Sequence, residues 1–556
     1  MAGKEKVFVI GIDGATFDLL MPWIKEGKMP TLQRLINQGA WGHLESVFPP
    51  LTPVAWSSFM TGKNPGKHGI FNFMYRQQGS YNLKPISFSD VDGKTLWRII
   101  NDNGLKVGVM NVPLTYPPEE VEHFLISSFL SPMSADNQSY PQNLVDELKK
   151  ELGKYLIHPI KVREGNNFSQ MLLEKYEMIK NRTEAALYLM KKYECDFFMV
   201  HYLASDSMQH EFWHLADEDH PQFDSKLARK HKDILLNFFT KLDQYISQLV
   251  SNLKSDTTLV IMSDHGFGRI TNFLHLNTWL LKEGFLALKK NPLTGLKYLL
   301  FKIGITPSLF YRLAMKVNLA WLSRNVDLSK KTSLLKKFFL SLEDVDWQNT
   351  RAYSLGYYGF GQVNINLKGR EPLGCVEPGE EEKALLEKLQ QRLKEIKDPF
   401  TGERIVESVK KRTELFQGKH LKSAPDLFLF PHNFETISLD VSGFSSHRVI
   451  ERTFGHTGSH RPNGIILLRG EHIKENSQIK GAQITDLAPT ILYLLGLPIP
   501  KDMDGKVLTS AIKETSLRQK EAKFYHEKDA PERKKMTFSG KEEEEIKQKL
   551  SDLGYL

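Results

Sequence analysis

The stretch VFVIGIDGATFD, Val7 to Asp18, decides the fold. Its six apolar residues, Val7–Ile12, are rich in β-branched side chains and end at Asp13 and Gly14, the pattern of a fully buried parallel strand. Asp13 then stands at the strand's carboxyl end, where open α/β sheets place their ligands. It reads either as the cap of the following helix or as the first ligand of a metal site built from strand ends.

Outward from this strand, helix-like and strand-like stretches alternate. LLMPWIKEGKMPTLQRLINQGAWG has helical spacing, Val91–Asn103 reads as a helix, and LKVGVMNVP from Leu105 as a strand. Phe168–Tyr193 and Phe223–Leu253 read as long helices, each leading into a dense apolar strand, CDFFMVHYL from Cys195 and TLVIMSDHGFG from Thr258. Strand and helix in alternation predict an α/β fold with a mostly parallel central sheet flanked by helices. The 556 residues exceed what one core usually holds, which predicts insertions or a second domain. The expected organisation is a catalytic core over 1–280 and 347–510, a basic helical insertion at 281–346, and a charged tail at 511–556 whose terminal helix Ser539 caps.

Composition narrows the functional classes. Apolar content of 41% and charged content of 25% are ordinary for a globular chain, and a net charge of +8 over this length does not point to a nucleic acid polymer. Two cysteines, Cys195 and Cys375, supply no disulfide framework and no CxxC pair, which suits a reducing compartment. With no spanning apolar run and no signal-type h-region, the expectation is a soluble, cytoplasmic protein. The sequence says nothing about oligomeric state.

The charge is unevenly spread. Between Lys282 and Lys337 twelve Lys or Arg face only Glu283 and Asp327, a local excess of ten. Within it, LKYLLFKIGITPSLFYRLAMKVNLAWL is apolar with basic residues at helical intervals. Three readings fit: a helix packing its apolar stripe on the core, a basic lid over an anionic substrate, or a face that makes weak contact with an anionic membrane. The lid is favoured over the membrane face because the insertion follows a strand end that looks catalytic, and Lys289, Lys290 and Lys297 are its expected steering charges.

Polar groups collect at strand ends and in neighbouring loops: Asp13, Thr52, Asp206 with His210, Asp264 with His265, and His456 with His460. Asp206 and His210, four apart, share one helix face. SDHG at Ser263–Gly266 places two ligand-type side chains where an apolar strand ends, and charge there is costly unless paired or coordinated. Three aspartates, three histidines and a hydroxyl suffice for two oxygen- and nitrogen-rich metal sites. A metal pair roughly 4 Å apart suits in-line displacement at phosphorus, with Thr52 as an attacking oxygen that needs activation.

These motifs, in this order, resemble the alkaline phosphatase superfamily and within it the type I phosphodiesterase/nucleotide pyrophosphatase branch. The resemblance rests on Ile12–Gly14 (IDG), PPLTPVAWSSFMTGKNPGKHGI, DxxxH, SDHG, SHRPNG and TDLAPTILYLLGLPIPKDMDGKVL. It implies an alkaline phosphatase-like core and a hydrolase that cleaves phosphodiester or pyrophosphate bonds of a small substrate through a phosphothreonine at Thr52. It further implies two divalent cations, Zn²⁺ or alternatively Mn²⁺, one held by Asp206, His210 and His460 and the other by Asp13, Asp264, His265 and Thr52. His460 is preferred to His456 because it immediately precedes the R-P-x-G turn, and Thr61 and His68 are read as structural. The sequence departs from nucleotide pyrophosphatases at Ala55, where they commonly carry an Asn. A phosphomutase or phosphomonoesterase of the same superfamily, or a non-catalytic membrane-surface protein, are the alternative readings.

Overall fold

The computed structural model describes residues 5–158, 168–316, 336–355, 359–439, 443–519, 521–526, 533 and 535–553. The strands used below are β1 Lys6–Ile12, β2 Ala40–Glu45, β3 Val107–Met110, β4 His123–Ile126, β5 Ser139–Tyr140, β6 Phe197–Tyr202, β7 Thr257–Met262, β8 Gly266–Arg269, β9 Gly458–Arg461, β10 Asn463–Arg469 and β11 Ser477–Gln478. The helices are α1 Phe17–Lys25, α2 Thr52–Thr61, α3 Phe168–Lys192, α4 Ala204–Ala216, α5 Ile234–Ser251, α6 Pro292–Lys302, α7 Pro307–Lys316, α8 Leu487–Leu494 and α9 Gly540–Asp552.

The central sheet has the order β11-β2-β10-β7-β1-β6-β3-β4-β5. The five strands from β7 to β4 are parallel, and β10 is inserted antiparallel between β7 and β2. Because side chains alternate along a strand, β1 sends Val7 and Val9 into one apolar layer and Phe8, Ile10 and Ile12 into the other. The first layer packs under α2 and α8, the second under α1, α3 and α5. Burial on both faces explains why the central strands read as continuous apolar runs. The α/β class and mostly parallel sheet expected from the sequence are therefore present.

A smaller sheet, Ala352–Tyr353, Gln362–Ile365, Leu427–Pro431 and Val406–Lys411 in spatial order, has its own core running from Leu274 to Ile450. The terminal helix α9 is capped by Ser539 and seats Ile546 and Leu550 in the main core. Tyr555, in the charged tail, lies outside the described residues. Two expected helices are divided. Val91–Asn103 contributes only Leu96–Asp102, after a turn at Gly93, and Phe223–Leu253 splits into Ser225–His231 and α5. Among the described residues no helix is long and apolar enough to cross a membrane.

The insertion differs from expectation in its orientation. α6 and α7 form, joined through Gly304 at φ +89°, while 317–335 lie outside the described residues. Lys297 is not a steering charge: it is buried, and its Nζ bonds both Asp344 oxygens at 3.1 Å. Nor does the leucine stripe pack inward, since Leu293, Leu296, Leu299 and Ile303 are exposed.

Candidate metal centre

Register places the first three carboxylate-bearing segments together. Gly11 pairs with Met262 across β1 and β7, so two residues further on Asp13 arrives beside Asp264. Across β1 and β6, Ile12 pairs with Tyr202, and α4 starts at Ala204 with Asp206 in its first turn and His210 one turn later. The antiparallel pair β8–β9 sets Phe267 opposite His460, delivering a fourth segment. Thr52 opens the buried helix α2 instead of lying in a loop, so its hydroxyl sits at the positive end of a helix dipole.

Asp13 can turn into the site because Gly14 follows it with φ +69°; a side chain there would also press on Phe267 at 3.0 Å. Gly266 lets β8 approach the Asn463 carbonyl more closely than any Cβ would permit.

Two three-residue groups result, Asp206–His210–His460 and Asp13–Asp264–His265, all buried, each with its ligand atoms within 4.8 Å of one another. In the first, Asp206 Oδ1 lies 3.4 Å from His210 Nε2 and 3.3 Å from His460 Nε2. In the second, His265 Nε2 lies 3.4 Å from Asp13 Oδ1 and 3.2 Å from Asp264 Oδ2. The groups adjoin, because the His265 and His460 rings stack with centroids 3.7 Å apart. Thr52 Oγ1 is 3.4 Å from His265 Nε2. The structure thus brings Asp13, Thr52, Asp206, His210, Asp264, His265 and His460 to one place. His456 is outside both groups, its ring centred 5.7 Å from that of His210.

Outer hydrogen bonds set the histidine tautomers. Nδ1 of His210, His265 and His460 donates to the carbonyls of Gly458, Gly266 and Pro50 at 2.8, 3.1 and 2.8 Å. A carbonyl only accepts, so each Nδ1 carries the proton and each neutral ring turns a lone pair on Nε2 into the site. His210 Nε2 and His460 Nε2, 3.2 Å apart, are then two acceptors side by side, a geometry suited to co-ligands and not to a mutual hydrogen bond.

The electrostatics agree. Burial, then the Asp264 and Asp206 charges, raises the Asp13 carboxyl well above its usual range; burial and Asp206 do the same to Asp264. Burial, then His460, pushes His265 down, and burial lowers His460. Asp13 Oδ1 and Asp264 Oδ2 are buried and make no hydrogen bond among the described residues. Lone pairs and anionic oxygens facing inward, with orphaned acceptors, fit divalent cations.

Sequence reading passed over His201. At the end of β6 it donates from Nδ1 to the Asn111 carbonyl at 3.0 Å, and its Nε2 meets Asp13 Oδ2 at 2.9 Å. Burial, then the Arg182 charge, pushes its pKa down to about 3. The available signal was a lone imidazole in an otherwise apolar strand. His68 has the opposite environment from His210, His265 and His460: Nδ1 accepts from the Ile70 amide, and Nε2 faces Ser58 Oγ at 2.9 Å.

The family profile "Type I phosphodiesterase / nucleotide pyrophosphatase" matches residues 7–434, most of the chain. Among solved structures, phosphonoacetate hydrolase from Sinorhizobium meliloti 1021, in complex with phosphonoformate, is similar at TM-score 0.52 and 13% identity, covering 88% of this chain and 95% of its own. The same hydrolase with phosphonoacetate gives the same TM-score of 0.52, identity of 13% and coverage of 88% and 95%. Human ectonucleotide pyrophosphatase / phosphodiesterase 5 aligns at TM-score 0.44 and 13% identity over 90% of this chain and 97% of its own. Comparison with curated proteins by sequence gives no match.

Proposed function

Since the chain belongs to the type I phosphodiesterase/nucleotide pyrophosphatase family, and so is a hydrolase of phosphoric esters, we propose that it acts on a small phosphodiester or pyrophosphate through a covalent phosphothreonine at Thr52. The observation that carries this reading is the convergence of two buried carboxylate–imidazole groups on a hydroxyl at the first turn of α2.

Asp206, His210 and His460 would hold one divalent cation; Asp13, Asp264, His265 and the Thr52 oxygen would hold the other. The mixed nitrogen and carboxylate donor set favours Zn²⁺, with Mn²⁺ also suited. When bound, the cations supply charge neutralisation at the phosphoryl oxygens and lower the pKa of the threonine hydroxyl. The chain's own residues do the rest. The carbonyls of Gly458, Gly266 and Pro50 keep three imidazoles neutral and aimed. Thr52 Oγ attacks phosphorus as its proton passes to solvent and the bond to the leaving oxygen breaks, and that oxygen takes a proton from solvent. Water then attacks the phosphothreonine, frees the product and returns the proton to Thr52. The α2 dipole favours the added negative charge in both steps. Catalysis is assigned to 1–280 and 347–510.

Ala55, fully buried on α2, offers no side-chain amide to a phosphate oxygen, so the reading does not extend to nucleotide specificity. The test is acid-quenched turnover of a nitrophenyl phosphodiester with Zn²⁺ or Mn²⁺, followed by peptide mass analysis. One phosphoryl group that retains the substrate's second ester substituent, on the peptide containing Thr52, is the expected result. Turnover with no trapped phosphoryl group, and none in a rapid-quench time course, would assign the attack to water.

A further inference from the structure

α6 is amphipathic with its faces reversed. At 100° per residue, Leu293, Leu296, Leu299, Leu300 and Ile303 fall within an arc of roughly 120°. Four of them are exposed by 56–65%, and Leu300 is half-buried. The opposite face is partly polar yet buried, with Thr294 Oγ1 and Lys297 Nζ both bonded to Asp344 at 3.1 Å. The Lys297–Asp344 pair fixes which face turns inward, and an isolated soluble helix would bury its leucines instead.

α7 continues the surface. Leu309, Phe310 and Leu313 are exposed by 40–52%, and Phe310 meets Phe339 edge-on at 5.5 Å, bringing the exposed Phe338 alongside. Of the fourteen large apolar side chains exposed among the described residues, eight lie between Leu293 and Phe338, so the patch is local and not a general property of this surface. The charges around it are of one sign: Lys289, Lys290, Lys302, Arg312, Lys336 and Lys337. No acidic residue occurs from Gly284 to Val326. The acids packed against the helices, Asp344 and Glu451, are buried, and the exposed Glu343 is engaged by Lys336.

We propose that α6 and α7 form a docking face for an anionic lipid bilayer, with the Leu–Ile–Phe stripe entering the headgroup boundary and the lysines meeting lipid phosphates. An exposed apolar stripe with an unbroken basic border is the combination such interfacial helices use. The opposite sign on the lipid surface is what selects this occupant. The face also reaches the catalytic side of the molecule: Tyr311 and Arg312 pack on Phe454, two residues before His456.

The test is flotation of the full chain with vesicles of phosphatidylcholine alone or mixed with phosphatidylglycerol, beside sedimentation velocity without lipid. Wild type should float with the anionic vesicles and not the neutral ones, more weakly as salt rises. Lys289→Gln with Lys290→Gln should lower the affinity about fivefold per lysine. Leu296→Ser with Leu299→Ser and Ile303→Ser should lower it at least about tenfold, by removing the inserted apolar area. All are surface positions, so unchanged thermal melts report intact folds. Wild type that ignores anionic vesicles, or variants that bind as it does, overturns the proposal. So does a wild-type dimer that the serine variant dissociates while no form binds lipid, which would give the face to a second copy of the chain.

Discussion

Replacing Asp264 with Asn should change stability in opposite directions depending on metal. Asp13 and Asp264 place oxygens within 4.8 Å of each other. At an effective dielectric of about 20, two full charges at that separation repel by roughly 3.5 kcal/mol. The metal-free native state relieves part of this by binding protons that the unfolded chain has released above the ordinary carboxyl value of 3.8. The native state then holds more protons than the unfolded one, so these groups make stability fall as pH rises above that value. Asp264→Asn removes one charge and keeps the oxygen that accepts from the Gly14 amide. Its amide also gives the orphaned Asp13 Oδ1 a donor. Without metal at neutral pH, the variant should therefore be more stable than wild type by about 1–3 kcal/mol. With metal at about 100 times Kd, wild type gains about 2.7 kcal/mol per site, the variant loses most of one such gain, and the order reverses. Paired melting curves in chelator and in excess Zn²⁺ measure both. A variant less stable than wild type in chelator as well as in Zn²⁺ would mean that Asp264 is a structural carboxylate, and the argument would fail.

Other outcomes follow from the same geometry. Thr52→Ala should keep its metals and fold but lose hydrolysis by several orders of magnitude, whereas Thr52→Ser keeps part of it; steady-state rates beside metal analysis decide. Elemental analysis should find close to two divalent metals per chain, with His460→Ala losing one and His456→Ala neither. His68 should matter for acid stability and not for metal content. Burial, then the His420 charge, holds it at about 3 against an ordinary 6.5, so its contribution is present above 6.5 and is lost as pH falls toward 3. The span corresponds to an upper figure on the order of 5 kcal/mol, and His68→Asn should flatten the fall of melting temperature with acid.

The central strands were legible because burial on both sheet faces leaves apolar runs, and Asp13 and Asp264 because a charge ending such a run needs a partner. The R-P-x-G turn favoured His460 over His456 locally, but the position of His460 beside Asp206 and His210 was not legible from that turn. It depends on the β8–β9 register, which pairs residues nearly two hundred positions apart. His201 was missed because a single imidazole in an apolar strand looks like any core histidine until Asp13 is seen beside it. The stripe on α6 was visible in the spacing, yet spacing cannot say which way a stripe faces. Asp344, 47 residues from Lys297, decides that.

The scatter of the ligands along the chain has a consequence for synthesis. Asp13, Thr52, Asp264 and His265 have all been synthesised when His460 is still 195 residues from being made. At about 5–20 residues per second that interval lasts roughly 10–40 s. For that time one metal set is covalently complete and the other lacks a ligand, while β10, which must slip between β7 and β2, is also missing. If the two groups bind cations as proposed, the nascent chain would pass through a stage able to retain one without a closed sheet, the second being admitted only when β9 and β10 fold back onto the earlier strands.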